Sequence, residues 1–196
     1  MDQRKVKNIA VFASGRGSNF AAIIKAAKKG KIKANLALLV CDNPQAGALK
    51  LAEKAGIKSV LVKKEEEIIR QLEKSKIDVI VLAGFMRILS ADFVRKYKGR
   101  ILNIHPSFLP SFKGAHAIKD AFDAGVKVTG VTVHFVDEKI DHGPVILQQA
   151  VKVGKKDNLE SLEEKIHKAE HKLYPEAIRL YLEGKLKLKG RKVKIF

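Results

Sequence analysis

The chain contains 196 residues, of which 39 are Lys or Arg and 21 are Asp or Glu, so its formal net charge is +18. Hydrophobic residues make up 46%, which excludes a disordered chain and suits one globular domain. The single cysteine, Cys41, excludes an internal disulfide and a cysteine-rich zinc site. No apolar run is long enough for a transmembrane helix, and the start at Met1–Lys5 does not resemble a signal peptide. We therefore expect a cytoplasmic protein.

The excess of positive charge has three interpretations at this stage. It is typical of nucleic-acid-binding proteins, and it also suits an enzyme whose substrates are anions. The third interpretation is that lysine is simply abundant on the surface, as in heat-adapted proteins.

Apolar, strand-like segments alternate with helical segments through the first half of the chain. The strands are predicted at residues 6–12, 36–41, 59–62, 79–83 and 101–104, and the helices at residues 20–29, 46–55, 65–74 and 91–97. This alternation predicts βαβ crossovers and a Rossmann-like, mainly parallel sheet. Ligands of such sheets bind beyond the carboxyl ends of the strands. The loops at those ends are residues 13–19, 84–90 and 105–116.

The second half of the chain has a different pattern. We predict a helix at residues 116–124, antiparallel or mixed strands at 128–136 and 145–153, and a long helix at 159–182. Asp157 or Asn158 would cap the long helix, and Pro175 would kink or break it. The tail at 185–196 alternates basic and apolar residues, which predicts a hairpin or a lysine-protected edge strand. The whole is an α/β fold whose N-terminal parallel sheet continues into a mixed C-terminal half.

A glycine-rich turn, Gly15–Asn19, separates the first predicted strand from the first helix. Glycines let the backbone approach a ligand closely, and a helix N-terminus attracts anions, so the turn suits a phosphate. Phe20 stands where the dinucleotide motif has its third glycine, and the Gly-Lys-Ser/Thr of a P-loop is absent. The alternative is an ordinary turn with a Ser or Asn cap.

Asn103 and His105 lie near the end of the strand at 101–104, and strand alternation places both on one face. An amide donor beside an imidazole can stabilise an oxyanion and handle a proton. The alternative is a structural Asn and a hydrogen-bonded His. Two prolines, Pro106 and Pro110, stiffen the loop that follows, and one of their peptide bonds is a candidate cis bond.

The acidic loop 137–144 contains Asp141, which we expect to be either a partner that orients His105 or part of a solvated turn. A metal site is not expected. Only His167 and His171 among the six histidines have i, i+4 spacing, and they lack the H-E-x-x-H pattern. No G-x-S-x-G motif is present, and Cys41 lies on an apolar strand, so a covalent nucleophile is not expected.

Taken together, several segments closely resemble the phosphoribosylglycinamide formyltransferases, which belong to the wider formyltransferase-fold group. The segments are Ser14–Asn19, Val81–Leu89, Asn103–Pro110, Asp141–Ile146 and Glu170–Pro175. The resemblance extends from Val6 to about Leu188. It implies one formyltransferase domain over residues 1–196, with a phosphate-binding half at about 1–100 and a catalytic, folate-binding half at about 101–196.

The resemblance also implies a role for individual residues. The catalytic residues would be Asn103, His105 and Asp141. The ribonucleotide would contact Gly17, Ser18, Asn19, Gly84, Met86, Pro106 and Glu170. The folate would contact Arg87, Ile88, Leu89, Asn103, Val136, Asp137, Glu138 and Asp141. The segment 63–76 is shorter than is usual in the family, and His142 stands where small or polar residues are also common.

The implied reaction is formyl transfer from 10-formyltetrahydrofolate, as co-substrate and without a metal, to the amine of N1-(5-phospho-D-ribosyl)glycinamide in purine biosynthesis. The amine would attack directly through a tetrahedral intermediate. The alternatives are a 10-formyltetrahydrofolate hydrolase or a formyltransferase with another acceptor, such as an initiator tRNA. The expected partners are small anionic substrates, with no nucleic acid and no membrane, for a monomer or a homodimer. On this interpretation, most of the excess positive charge comes from lysines scattered over the surface and does not reflect a binding partner.

Overall fold

The computed structural model describes residues 6–196 and divides the chain into two compact units. One unit ends at Leu89 and the other spans Ser90–Phe196. The segment Met1–Lys5, on which we based the expectation of no signal peptide, lies outside the described residues. None of the helices formed by residues 6–196 combines the length and the apolar character needed to cross a bilayer.

The first unit contains four parallel strands in the order β3-β2-β1-β4. The strands are β1 (Lys7–Phe12), β2 (Ala34–Cys41), β3 (Ser59–Leu61) and β4 (Val79–Leu82). The helices are α1 (Ser18–Lys28), α2 (Gly47–Lys54) and α3 (Glu65–Lys74). All of β4 and most of β1 are buried, as expected of parallel strands covered on both faces.

The helices of this unit follow the apolar spacing of the sequence. In α3, Ile68 and Leu72 are buried one helical turn apart, and three glutamates, Glu65 to Glu67, occupy the first turn, where the helix dipole favours negative charge. Helix α1 begins at Ser18, two residues before the predicted start at Phe20. We predicted the start at the first apolar residue of the segment. In the structure, Gly17 is the N-cap in a left-handed conformation, and the helix begins directly after it.

In the second unit, strands β5, β6 and β7 pair antiparallel in that order. These strands are β5 (Ile101–His105), β6 (Val128–Phe135) and β7 (Val145–Lys152). Its helices are α4 (Ala91–Lys96), α5 (Ala117–Asp123) and α6 (Leu159–Leu182). The predicted α/β fold class is confirmed, with parallel strands in the N-terminal part and antiparallel strands after them.

The long helix α6 begins with a capping box, in which the Asn158 side chain accepts from the Ser161 N–H and the Ser161 hydroxyl accepts from the Asn158 N–H. The predicted break at Pro175 is wrong, because the helix continues through that residue to Leu182. Proline removes one backbone donor, but Tyr174, Ala177 and Ile178 on both sides are fully buried, and their packing maintains the helix.

The tail forms a hairpin of β8 (Leu186–Lys189) and β9 (Lys192–Ile195), one of the two predicted alternatives. Gly190 has a φ of 58° in the two-residue turn, a left-handed conformation that glycine adopts without strain. The hairpin therefore presents the second turn residue, Arg191, at its tip.

Candidate active site

The turn between β1 and α1 has the features expected of an anion-binding loop. Gly17 is buried with a φ of 81°, and a Cβ there would lie 3.0 Å from both Ala48 Cα and Leu51 Cδ1, so only glycine fits without strain. Ser18 is exposed at the start of α1, and Asn19 is buried beside it. The first N–H groups of a helix have no partner within the helix, so this end of α1 suits a phosphate.

The loop after β4 is attached to the same turn within the first unit. The Ser14 N–H donates to the Gly84 carbonyl at 3.0 Å, and the Ser14 hydroxyl accepts from the Met86 N–H at 3.0 Å. These two bonds bring the predicted ribonucleotide residues Gly84 and Met86 to the glycine-rich turn.

The same loop exposes apolar side chains, which suits a flat apolar ligand. Met86 is 65% exposed and Ile88 is 76% exposed, unusually high values for large apolar residues, whereas Leu89 is partly buried. The Arg87 guanidinium donates to the Lys63 carbonyl at 2.6 Å, so it lies against the start of the short segment 63–76. The predicted folate residues Arg87, Ile88 and Leu89 thus lie on one exposed loop.

In the second unit, His105 and Asp141 lie side by side, as expected if Asp141 orients the ring. His105 Nδ1 is 3.4 Å from Asp141 Oδ2, and both side chains are at least 90% buried. His105 Nε2 is 2.8 Å from the Phe112 carbonyl oxygen. Both ring nitrogens of His105 therefore face oxygen atoms.

The loop that carries Asp141 is held by close backbone contacts. Asp141 has a φ of 46°, in the left-handed region, and its carboxylate accepts from the Gly114 N–H at 2.8 Å. A Cβ on Gly143 would lie 1.7 Å from the Phe135 carbonyl oxygen, so a larger residue would displace the loop. This tight turn sets the direction in which the Asp141 carboxylate points.

Asn103 is oriented by His134, a residue that the sequence analysis considered only among the possible metal ligands. His134 Nδ1 lies 2.8 Å from the Phe135 carbonyl oxygen and must therefore carry a proton. Burial lowers the pKa of His134 and keeps the ring neutral, so Nε2 accepts from the Asn103 side-chain N–H at 3.1 Å. His134 Nε2 is also 3.9 Å from Asp141 Oδ1, which places His134 between Asn103 and Asp141.

The loop that follows His105 is fixed by buried polar contacts. The Thr132 hydroxyl donates to the Ser107 carbonyl at 2.8 Å and accepts from the Leu109 N–H at 3.1 Å. Gln148 Nε2 donates to the Leu109 carbonyl at 2.9 Å. Pro106, a predicted ribonucleotide residue, is half-buried at the start of this loop, and the Leu109–Pro110 bond is cis, one of the two candidate bonds.

The remaining folate residues predicted from the resemblance lie just after β6. Val136 donates its N–H to the Ile101 carbonyl at 3.0 Å, which ties this segment to the strand that carries Asn103. Asp137 accepts from the His142 ring at 2.8 Å, and Glu138 pairs with Arg95 at 3.4 Å. Glu138 is exposed, and Val136 and Asp137 are partly exposed. A ligand can therefore reach all three residues.

Glu170, the predicted ribonucleotide contact on α6, is only 4% exposed, and its carboxylate accepts from His167 Nδ1 at 2.9 Å. His167 and His171 stack with ring centroids 6.4 Å apart, and burial lowers the pKa of His171. Across residues 6–196, no three His, Cys, Asp or Glu side chains are arranged to hold a metal ion. His167 therefore acts as a hydrogen-bond partner of Glu170.

Within each unit, the structure brings predicted site residues together. In the first unit, the glycine-rich turn meets Gly84 and Met86 through the bonds of Ser14. In the second, His134 lies between Asn103 and Asp141, and Asp141 lies beside His105. Their assignment to substrates stays a prediction.

Comparisons with known proteins agree on one family. Residues 7–178 match the family model described as formyl transferase. The chain is 46% identical over 186 residues to phosphoribosylglycinamide formyltransferase of Bacillus subtilis, an alignment that covers 90% of this chain and 95% of the relative. It is 43% identical over 195 residues to the trifunctional purine biosynthetic protein adenosine-3 of Bos taurus, where it covers 95% of this chain but only 19% of that longer relative.

Solved structures have the same fold. Glycinamide ribonucleotide transformylase 1 from Symbiobacterium toebii superposes with a TM-score of 0.95 at 38% identity, covering 99% of this chain and 96% of the other. A formyltetrahydrofolate deformylase from Pseudomonas syringae superposes with a TM-score of 0.93 at 28% identity, covering 98% of this chain and 67% of the other. The chain therefore belongs to the formyl transferase family.

Proposed function

We propose that this enzyme transfers the formyl group of 10-formyltetrahydrofolate to the amine of N1-(5-phospho-D-ribosyl)glycinamide, a step of de novo purine biosynthesis. The observation that carries the proposal is the cluster of Asn103, His105 and Asp141, in which His134 lies between Asn103 and Asp141. The high identity to a phosphoribosylglycinamide formyltransferase over almost the full length of both chains supports the choice of acceptor.

The ribonucleotide phosphate binds, in this proposal, to Gly17, Ser18 and Asn19 at the N-terminus of α1. The exposure of Ser18 and the close approach that Gly17 permits support this assignment. Gly84 and Met86, which are tied to the same turn by Ser14, complete this part of the ribonucleotide site. Pro106 and Glu170 are the proposed contacts for the rest of the ribonucleotide.

The folate co-substrate supplies the formyl carbon. Exposed apolar side chains of the loop 86–89 suit the apolar face of a pterin ring. The proposed contacts are Arg87, Ile88, Leu89, Val136, Asp137 and Glu138, together with Asn103 and Asp141. No metal takes part in the proposed reaction.

Asn103 is the proposed oxyanion donor. The amide nitrogen has two N–H groups, and the contact with His134 Nε2 uses one of them. The second can donate to the formyl oxygen when the attacking amine forms a bond to the formyl carbon and negative charge develops on that oxygen. Donors held in place before the reaction stabilise such charge without reorganisation.

His105 and Asp141 are the proposed charge and proton pair. The negative charge of Asp141 stabilises a protonated His105 at 3.4 Å, and this positive charge lowers the energy of the tetrahedral intermediate. When the intermediate collapses, the bond from the formyl carbon to N10 breaks. The proton lost by the attacking amine moves to N10, and Asp141, acting through a water, is the proposed carrier.

A second candidate function is hydrolysis, in which water replaces the amine as acceptor. The likeness to a formyltetrahydrofolate deformylase favours it, because the same cluster could activate water. The lower identity of that match, and the longer chain of the deformylase, make it the weaker proposal.

The proposed partners are small anions rather than nucleic acid, and the proposed site of action is the cytoplasm, for a monomer or a homodimer. The buried free thiol of Cys41 suits a reducing compartment. A field from the net charge of +18 would attract both the phosphate of the acceptor and the carboxylates of folate.

One assay separates these functions. The protein is mixed with 10-formyltetrahydrofolate and given the ribonucleotide, no acceptor, or charged initiator tRNA, while loss of the formyl group is followed. Turnover that requires the ribonucleotide supports the proposal. Equal turnover without any acceptor supports hydrolysis, and turnover only with tRNA overturns both.

A further inference from the structure

The tip of the C-terminal hairpin contacts the loop that carries Asp141. Arg191 Nη2 donates to the His142 carbonyl oxygen at 2.8 Å, and Nη1 lies 2.6 Å from Nε2 and 3.0 Å from Nδ1 of the His142 ring. One guanidinium thus contacts both the backbone and the side chain of the residue that directly follows Asp141. A two-point contact of this kind depends on the forked geometry of arginine, which lysine lacks.

The His142 ring also contacts the start of the same loop. His142 Nδ1 lies 2.8 Å from Asp137 Oδ2, and Asp137 Oδ1 accepts from the Lys139 N–H at 3.1 Å. Nδ1 therefore donates to the carboxylate, which leaves Nε2 free to accept from Arg191. The His142 ring thus joins the two ends of the loop, residues 137–142, and Arg191 holds the ring in place.

The hairpin itself is attached to the end of α6. The Lys185 N–H donates to the Leu180 carbonyl at 3.0 Å, and the Phe196 N–H donates to the Lys185 carbonyl at 3.1 Å. Both strands of the hairpin are therefore fixed at their open end. Arg191 therefore contacts the loop from a hairpin that is attached to the end of α6.

We propose that Arg191 is a positioning residue for formyl transfer, which acts by holding His142 and, through it, the carboxylate of Asp141 beside His105. This inference rests on the proposed function for its catalytic part. It assigns a role to His142, the residue that directly follows Asp141. Without Arg191, the loop keeps the Gly143 turn and the bond between His142 and Asp137 but loses the contacts that hold the His142 ring in place.

Hydrogen exchange tests the structural part of the inference independently of activity. Exchange of the backbone amides of residues 137–143 is measured in the wild type, in Arg191→Ala and in Lys189→Ala, a control that removes a neighbouring charge from the same hairpin. We expect exchange to be about five- to tenfold faster in Arg191→Ala and unchanged in Lys189→Ala. A change of this size is expected from the loss of a few partly exposed hydrogen bonds. Unchanged exchange of residues 159–182 shows that the variant remains folded.

Turnover tests the catalytic part. We expect kcat of Arg191→Ala to fall about five- to tenfold, while the KM for the ribonucleotide stays constant, because two hydrogen bonds that position Asp141 are lost. Added guanidinium ion should restore part of the kcat of Arg191→Ala, and it should do nothing for Lys189→Ala. Unchanged loop exchange, or faster exchange with an unchanged kcat, overturns the inference. A wild type without transfer activity refutes the proposed function instead, and the exchange result then decides whether Arg191 holds the loop.

Discussion

Asn103 and His134 are register partners on the neighbouring strands β5 and β6, and their side chains meet at 3.1 Å. The Phe135 carbonyl fixes the proton of His134 on Nδ1, so Nε2 can only accept a hydrogen bond. The amide of Asn103 must then turn its nitrogen toward His134. A buried, neutral histidine thereby determines which end of the asparagine amide faces the reacting group.

Replacement of His134 by Phe tests this relationship, because phenylalanine keeps the ring shape and removes both nitrogen atoms. The Phe135 carbonyl loses its donor, so we expect the free energy of unfolding to fall by about 1–3 kcal/mol. Asn103 loses its orientation, so kcat should fall, but by less than in Asn103→Ala. Urea unfolding and steady-state kinetics measure the two effects. A kcat equal to that of the wild type would show that the amide is oriented by other contacts.

The pH dependence of stability follows from the same residue. Burial lowers the pKa of His134 below its ordinary value of 6.5, so the folded protein binds fewer protons than the unfolded chain in mildly acidic solution. The contribution of His134 is therefore fully present above pH 6.5 and is lost as the pH falls through the lower, folded-state pKa.

Urea unfolding between about pH 5 and 8 measures this contribution. The wild type should lose stability on acidification more steeply than His134→Phe. Burial also lowers the pKa of His171, so the variant should keep a smaller loss of the same sign. Identical pH profiles for the two proteins would contradict a neutral, buried His134.

Asn103→Ala removes the proposed oxyanion donor. We expect kcat to fall by about 10²–10³-fold, the typical cost of one such donor, with little change in the binding of the ribonucleotide. His105→Ala should cause a loss of similar order. Asn35→Ala, which changes an exposed asparagine on β2, is the matched control. Near-normal turnover in both site variants would refute the assignment of the catalytic residues.

Gly143→Ala tests whether the tight turn positions Asp141. The added Cβ would lie 1.7 Å from the Phe135 carbonyl oxygen, so the loop must move and carry Asp141 with it. We expect a large loss of kcat in a protein that still folds. Gly154→Ala is the control, because its Cβ would meet its nearest atom, of the Asp157 side chain, only at 3.2 Å. Retained activity in Gly143→Ala would mean that the position of Asp141 is not critical.

Ser18→Ala tests the phosphate site. The hydroxyl is exposed at the first turn of α1, so its loss should leave stability unchanged and raise the KM for the ribonucleotide more than it lowers kcat. Ser59→Ala, at an exposed serine of β3, provides the comparison. An unchanged KM, measured with saturating 10-formyltetrahydrofolate, would place the phosphate elsewhere.

The sequence predicts the helices and strands well, because apolar spacing and glycine positions reflect local packing. The break predicted as one alternative at Pro175 is wrong, because buried neighbours in α6 outweigh a local rule about proline. The start of α1 at Ser18 depends on the left-handed conformation of Gly17, which spacing does not reveal.

The candidate site is only partly predictable for a different reason. Asn103 and His105 stand out because they are close in the sequence and share a strand face. His134 lies 31 residues from Asn103, and only the pairing register of β5 and β6 brings them together. Alternation along β6 could have placed Thr132 and His134 on one face, but it does not identify the facing strand. Arg191 and His142 are 49 positions apart and are likewise joined only by the fold.

Tyr174, buried in α6, donates its hydroxyl to the Leu102 carbonyl at 3.0 Å. Leu102 directly precedes Asn103, and Tyr174 lies one helical turn after Glu170. The separation between Glu170 and Asn103 is therefore set by one turn of helix and one buried hydrogen bond. A substrate that contacts both residues must therefore fit a fixed distance. An acceptor longer or shorter by one bond should place its amine wrongly and react slowly, even when it binds well.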